Sequence, residues 1–510
     1  MCGIAAQYRS PDADEGERML AAMISRGPDD QGSVGPSDGL ADAWLGHRRL
    51  SIVDVEGGRQ PLVGAGGDVF MVGNGEIYNH RVIRERLPDH VFKTRSDNEV
   101  ALHLIERDGP KALADLNGMY ALCLAGRDGR FLAARDPIGI KPLYWATKDG
   151  RTVFASEMSA FDPALRDEIH AFPPGHYWTP DEGLVRFAAA VPADAVADCS
   201  RREPAQPNRA DLDELRDVLV DAVERQMMGD VPVGVFLSGG LDSSLVAAIA
   251  QNYLRDRGKE LQTFAVGLEG SPDVVAARAC ARALGTEHRE HLYTAEQATA
   301  SLPEVIASIE AYDPALVRSA VPNLMLARFT SQHVKVVLTG EGADELFAGY
   351  EYMVEFPEPR PLHAELVRNV EGLQNLNLQR CDRVTMAHGL EARVPFLDAE
   401  VVAYAMRLPA SWKVYGKGVP EKKLLRSAFE GWLPDELLWR DKAQFGDGSG
   451  AASVLTDPFT DSVSESDFAS ERDAVDPVLR TREELAYYRI FRDHLGDVRP
   501  RQTLGRFATA

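Results

Sequence analysis

Residues 233–244 read Val-Gly-Val-Phe-Leu-Ser-Gly-Gly-Leu-Asp-Ser-Ser. An apolar strand over Val233–Leu237 enters a glycine turn, and helical periodicity then runs from Leu241 to Leu254. Gly239 and Gly240 let the backbone approach a ligand closely. The N–H groups opening the following helix face an anion. Ser238, Ser243 and Ser244 add hydroxyl donors. Asp242 would repel a bare phosphate, so Mg2+ beside it is the economical partner. The Gly-x-x-x-x-Gly-Lys-Ser/Thr pattern of an ordinary P-loop is absent.

The same alternation continues outward. Thr263–Leu268 and Val334–Leu338 are predicted strands, and Pro272–Leu284 is a predicted helix. Strands alternating with helices imply a parallel sheet with helices packed on it. A second loop follows its strand as Val337-Leu-Thr-Gly-Glu-Gly-Ala-Asp-Glu-Leu-Phe347. Ligands collect at such strand ends. In this loop Thr339 is a nucleotide-contact candidate, Asp344 is placed to share a metal with Asp242, and Glu341 is a proton acceptor. Lys442, in Asp441-Lys-Ala-Gln-Phe-Gly-Asp447, is suited to stabilise charge on a reacting phosphorus, although a lone lysine in a polar stretch is ordinarily surface.

The first 190 residues read differently, as short strands and turns. Phe131–Trp145 is strand, turn, strand, with Asp136-Pro137 and Gly139 at the turn. Val69–Glu76 is a strand running into an Asn-Gly turn. A helix is expected over Ser96–Asp108, with Ser96 as cap and Glu99 completing a capping box. The stretch 191–209 carries three prolines and little periodicity, which reads as a linker. Two domains of unlike class result: 2–190, and 210–510.

Removal of Met1 would leave Cys2 with a free α-amine beside its own thiol. With a pKa near ~8, that amine can serve as the base for the thiol, and the thiolate then attacks an amide carbon. Asn74-Gly75 offers a side-chain amide and a backbone N–H as oxyanion donors. Arg49 presents a planar fork for a carboxylate, and Asp97 can take an ammonium. The set suits glutamine held at both zwitterion ends. Taken singly, Asn-Gly is usually a hairpin turn, Arg49 a surface ion pair and Asp97 a helix cap.

Composition narrows the remaining classes. Of 510 residues, 45% are hydrophobic and 26% charged, as in an ordinary folded protein. No apolar run approaches ~18 residues, so a spanning helix is not expected, and the early polar turn after Met1 is unlike a signal peptide. A cytoplasmic location follows by default. A net charge of −22 repels phosphate backbones, which argues against nucleic-acid binding. The cysteines Cys2, Cys123, Cys199, Cys280 and Cys381 are odd in number, widely spaced and without a Cys-x-x-Cys pair, so neither a disulfide framework nor a zinc site is expected.

The N-terminal half resembles the class II glutamine amidotransferases. The resemblance rests on Cys2-Gly3-Ile4, Arg26–Asp29, Arg49–Asp54, Asn74-Gly-Glu-Ile-Tyr-Asn79, Ser96-Asp97 and Arg135–Tyr144. It implies an N-terminal-nucleophile αββα sandwich. Within it Cys2 is nucleophile and base in one residue, Asn74 and Gly75 are the oxyanion hole, and Arg49, Asn74, Glu76 and Asp97 grip glutamine. The loop at 238–244 resembles that of the ATP-pyrophosphatases.

With Phe264–Leu268, Gly270–Asp273, Arg383–Asp398 and Glu421-Lys-Lys-Leu-Leu-Arg426, nearly the whole chain is similar to the glutamine-dependent asparagine synthetase family. That resemblance implies adenylation of the aspartate β-carboxylate by ATP with Mg2+, release of pyrophosphate, and amination by ammonia carried through an internal tunnel. It also implies that Leu237, Val266 and Gly340 line the nucleotide pocket, that Glu341, Asp344, Arg318 and Lys442 serve the chemistry, and it allows a homodimer. Some family members carry Thr-Thr just before the arginine matching Arg318. Here Ala315 and Leu316 stand there, which leaves open a related enzyme acting on another carboxylic acid.

Overall fold

A computed structural model of the chain describes residues 2–197, 206–414, 416, 418–440 and 462–507. Lys442 and Cys199 lie outside the described residues. The strand Cys2–Tyr8 shows how period-two alternation builds the first half. Ile4 and Ala6 face one way, into a core with Leu45, Val72, Ala121 and Phe154. Ala5 faces the other way, with Met19, Leu20 and Trp44. The strand pairs antiparallel with Ala43–Arg49, placing Cys2 opposite Arg49, and with Arg151–Ala155. This six-stranded sheet stacks on a second, in which Val69–Ile77 pairs antiparallel with Gly118–Gly126. The helix Ala13–Ala22 covers the outer face of the first sheet, and Glu99–Asp108 covers the second. The layers are the expected αββα sandwich.

The second half holds a five-stranded sheet in the spatial order Glu287–Leu292, Gln262–Gly267, Val233–Phe236, Val336–Leu338, Glu391–Arg393, parallel throughout. From Val233–Phe236 the chain first builds outward on one side, then returns to build on the other. The switch point therefore falls between Val233–Phe236 and Val336–Leu338, where an open α/β sheet forms its ligand crevice. The loops that follow those two strands carry the candidate residues from Ser238 and from Thr339 onward.

Several local expectations are corrected. Asn74-Gly75 is not a turn: both residues lie inside the strand Val69–Ile77, opposite Ala121 and Tyr120. Gly75 has φ +143°, and a Cβ there would meet the Met119 carbonyl oxygen at 1.9 Å, so glycine serves a strand kink rather than a hairpin. The helix after Ser96 starts at Glu99, with Asn98 at its N-cap and no side-chain cap bond. The Glu99 carboxylate instead accepts the Lys93 and Thr94 N–H groups of the incoming loop, so Ser96 has no capping role. The helix Ala13–Ala22, capped by Asp12, was not anticipated. Part of the linker segment is ordered against the second half: Ala193–Ala197 is helical, Ala195 is buried, and Asp194 pairs with Arg407 at 2.8 Å.

Among the described residues no helix is long and apolar enough to cross a membrane. Cys2, Cys123, Cys280 and Cys381 are free and buried.

Candidate active sites

Cys2 begins its strand in a buried position, and its backbone nitrogen donates to Asn74 Oδ1 at 3.0 Å. That bond turns the Asn74 amide so that Nδ2 is buried with no hydrogen-bond partner. An unpaired buried donor costs about 1–3 kcal/mol, and an oxyanion beside the Cys2 thiol would relieve it. Burial, reinforced by Glu76 and Glu391, pushes the Cys2 thiol above its ordinary range. A thiol raised in this way would need a base to act as a nucleophile, and with Met1 removed its own α-amine would stand beside it.

The glutamine-contact candidates gather at this point with different degrees of engagement. Glu76 is buried with Oε2 unpartnered; burial and then Asp97 push its carboxyl well up. Asp97 Oδ2 accepts the Ile77 N–H at 2.6 Å. The Arg49 fork is not a surface ion pair: it donates to the carbonyls of Val53 at 3.2 Å, Asp54 at 2.7 Å and Val55 at 3.1 Å. It thereby fixes the 53–55 loop beside Cys2.

At the switch point the Ser238 and Ser243 hydroxyls lie 3.1 Å apart, and the Gly240 N–H donates to Ser238 Oγ at 3.3 Å. Ser244 is buried one turn into the helix. Leu237 and Val266 are buried at the ends of adjacent strands. The two loops touch: a Cβ on Gly340 would stand 2.8 Å from Asp242 Cβ. Thr339 Oγ1 donates to the Arg393 carbonyl at 3.3 Å. Asp242 and Asp344 do converge, but through a residue that had no assigned role: Lys422 Nζ lies 2.5 Å from a carboxylate oxygen of each. Burial opposes the Lys422 charge, yet the two carboxylates outweigh it and hold the ammonium protonated.

Glu341 pairs with the buried Arg380, and Arg318 pairs with Glu483 at 3.3 Å. Those partners lie 39 and 165 residues away in sequence, so only the fold brings them together. Polar arginines inside a helix that packs on the sheet domain, at Arg380 and Arg383, were the available signal.

Among the described residues no group of three His, Cys, Asp or Glu side chains forms a metal site. Mg2+ needs fewer protein ligands, commonly one or two carboxylates plus phosphate oxygens. Asp242 Oδ1 is buried without a partner, and Asp344 stands beside it, so the residues fit that ion.

Residues 1–185 match the glutamine amidotransferase domain family, and 214–357 and 354–502 match the asparagine synthase family. The chain is 40% identical to asparagine synthetase [glutamine-hydrolyzing] 2 of Arabidopsis thaliana over 471 residues, covering 88% of this chain and 79% of that one. It is 38% identical to a probable asparagine synthetase [glutamine-hydrolyzing] of Schizosaccharomyces pombe, covering 98% and 94%. It is 40% identical to asparagine synthetase B [glutamine-hydrolyzing] of Escherichia coli, covering 85% and 79%.

The chain belongs to the glutamine-hydrolysing asparagine synthetase family.

In this synthetase the two halves are joined by buried charge. Arg393 Nη2 lies 3.6 Å from Glu76, close to Cys2, while the Arg393 backbone carbonyl accepts the Thr339 N–H at 2.9 Å in the loop that follows Val336–Leu338. Asp382, on a helix of the second half, pairs with Arg26 at 2.8 Å and Lys141 at 3.4 Å from the first half. Burial alone would raise the Asp382 carboxyl, but Arg26 and Lys141 pull it down to about 2. An acid depressed on folding stabilises above its unfolded pKa, near ~3.9, and the benefit is lost as pH falls through its folded value. The shift corresponds to roughly 2 kcal/mol. Asp382→Asn is therefore expected to lower the denaturation midpoint clearly at pH 7, with the gap from wild type closing between about pH 4 and pH 2. Urea titrations at several pH values measure this, and an unchanging gap would remove the carboxylate's assigned role.

Proposed function

We propose that this chain makes asparagine from aspartate, glutamine and ATP, in two domains spanning 2–190 and 210–510 joined by 191–209. In the first, Cys2 Sγ attacks the glutamine amide carbon. The α-amine takes the thiol proton and passes it to the departing ammonia, and water then releases glutamate from the thioester. Asn74 Nδ2 and the Gly75 N–H receive the oxyanion; Arg49, Asn74, Glu76 and Asp97 orient the substrate. The unpartnered Asn74 Nδ2 beside Cys2 is the observation that supports this half most directly.

In the second domain an aspartate β-carboxylate oxygen attacks the ATP α-phosphorus, and the bond to pyrophosphate breaks. Ser238, Gly239, Gly240, Ser243 and Ser244 cradle the pyrophosphate, with Leu237, Val266, Thr339 and Gly340 around the nucleotide. Asp242 and Asp344 would hold Mg2+, which supplies charge neutralisation to the polyphosphate when bound. Ammonia from the first site adds to the aspartyl carbonyl carbon, Glu341 accepts a proton from it, and AMP leaves. Arg380 orients Glu341; Arg318 holds the acceptor's carboxylate; Lys442 stabilises charge at phosphorus. A cytoplasmic, homodimeric enzyme without nucleic-acid partners belongs to the same reading.

The experiment is a product assay with aspartate, ATP, Mg2+ and either glutamine or ammonia. Asparagine, AMP and pyrophosphate are expected in equal amounts, and ADP with phosphate would refute adenylation. Ala315 and Leu316 favour one second reading, a different acceptor acid, because they bring no hydroxyl to the start of the helix Pro314–Thr330. Competition between aspartate and a panel of carboxylic acids decides between the two.

A further inference from the structure

Between Asp242 and Asp344 sits a side chain rather than solvent. Lys422 Nζ lies 2.5 Å from Asp242 Oδ2 and 2.5 Å from Asp344 Oδ1, so the two oxygens are no more than about 5 Å apart. A Mg2+ ion contacting both at about 2.1 Å needs a spacing of at most about 4.2 Å. The ammonium thus holds the acidic loops close to the distance a divalent ion requires.

The placement is built rather than incidental. The Lys422 side chain is 2% exposed, whereas Lys423, its neighbour, is exposed to solvent. Lys422 adopts a left-handed backbone, φ 53° and ψ 29°, immediately before the helix Lys423–Ala428. Non-glycine residues take that conformation rarely and mostly where surrounding structure imposes it. Gly349 leaves room for the stem: a Cβ there would lie 2.3 Å from Lys422 Cε and 1.9 Å from Asp344 Oδ1. The ammonium engages Asp242 Oδ2, yet Asp242 Oδ1 stays buried and unpartnered, so the pair keeps capacity for a further cation.

We propose that Lys422 is the resident counter-ion of this carboxylate pair. It holds Asp242 and Asp344 together before nucleotide arrives, and yields their oxygens to the divalent cation that enters with ATP. The displaced ammonium turns to the polyphosphate oxygens, which are anionic and newly within its reach. This rests on the adenylation reading above. The exchange keeps one cation on the carboxylates at every stage, so neither the empty nor the loaded site places two carboxylates together uncompensated.

The test is Mn2+ binding to the full chain by electron paramagnetic resonance, for wild type, Lys422→Met and Lys422→Gln. Without nucleotide, Mn2+ is expected to bind both variants at least about tenfold more tightly than wild type, while pyrophosphate binds them at least about tenfold more weakly. Far-UV circular dichroism and the urea denaturation midpoint of the full chain report that each variant is folded. Equal or weaker nucleotide-free Mn2+ binding in folded variants, or unchanged pyrophosphate affinity, overturns the exchange. Should both variants fail to fold, wild type carries the test: Mn2+ uptake that is as tight without ATP as with it overturns the proposal. Wild type that takes up no Mn2+ even with ATP would overturn the adenylation reading itself, and the exchange with it.

Discussion

Cys2→Ala is expected to reduce glutamine-driven synthesis at least about 10⁴-fold while ammonia-driven synthesis proceeds near the wild-type rate. In the proposed mechanism the thiol supplies the bond-forming atom of the first half-reaction, and Asn74 and Gly75 cannot substitute for it. Ala is smaller than Cys, and the position packs at the start of a strand whose partners Ile4, Ala5 and Ala6 hold the sheet without it. The second site does not use the thiol at all. Rates of asparagine formation with each nitrogen source, measured on the same preparation, check this. Parallel loss of both activities would contradict independent sites.

Asp242→Asn is expected to have the opposite pattern. The change removes one of the two carboxylates placed to hold a divalent ion and leaves Lys422 with Asp344 as its remaining carboxylate partner. Pyrophosphate release should fall by about 10²–10³-fold or more, as when one preorganised charge partner is deleted from a reacting centre. Glutamine hydrolysis at Cys2 should persist, because among the described residues Asp242 meets Lys422 and the Gly340 loop rather than the thiol site. Unchanged pyrophosphate release would remove the residue from the chemistry.

The two expectations separate cleanly only if the halves hold their relative placement, and that depends on residues the sequence did not single out. Arg393 and Asp382 are buried across the contact; Arg393 lies within the stretch 383–398 noted for family likeness without a role attached, and Asp382 stands just before it. The loops were easier. Ser-Gly-Gly-Leu-Asp-Ser-Ser after an apolar strand is a local pattern, since a strand, a tight turn and a helix start are each set by neighbours a few residues away. Asn74-Gly75 shows the limit of that logic. The dipeptide signals a hairpin by local propensity, but pairing with Gly118–Gly126 keeps it within a strand, and the kink at Gly75 serves the site instead. The cap assigned to Ser96 failed for a related reason: Glu99 is claimed by a loop folded back on it.

Read alone, the order of residues determined the two architectures and the strand, glycine turn and helix that begin at Val233, because period and turn chemistry are short-range properties. Tertiary structure decided which charge meets which. Glu341 found Arg380, Arg318 found Glu483, and Asp242 with Asp344 found Lys422. A desolvated charge must be paired wherever the fold can bring an opposite one, and that partner can lie anywhere along the chain.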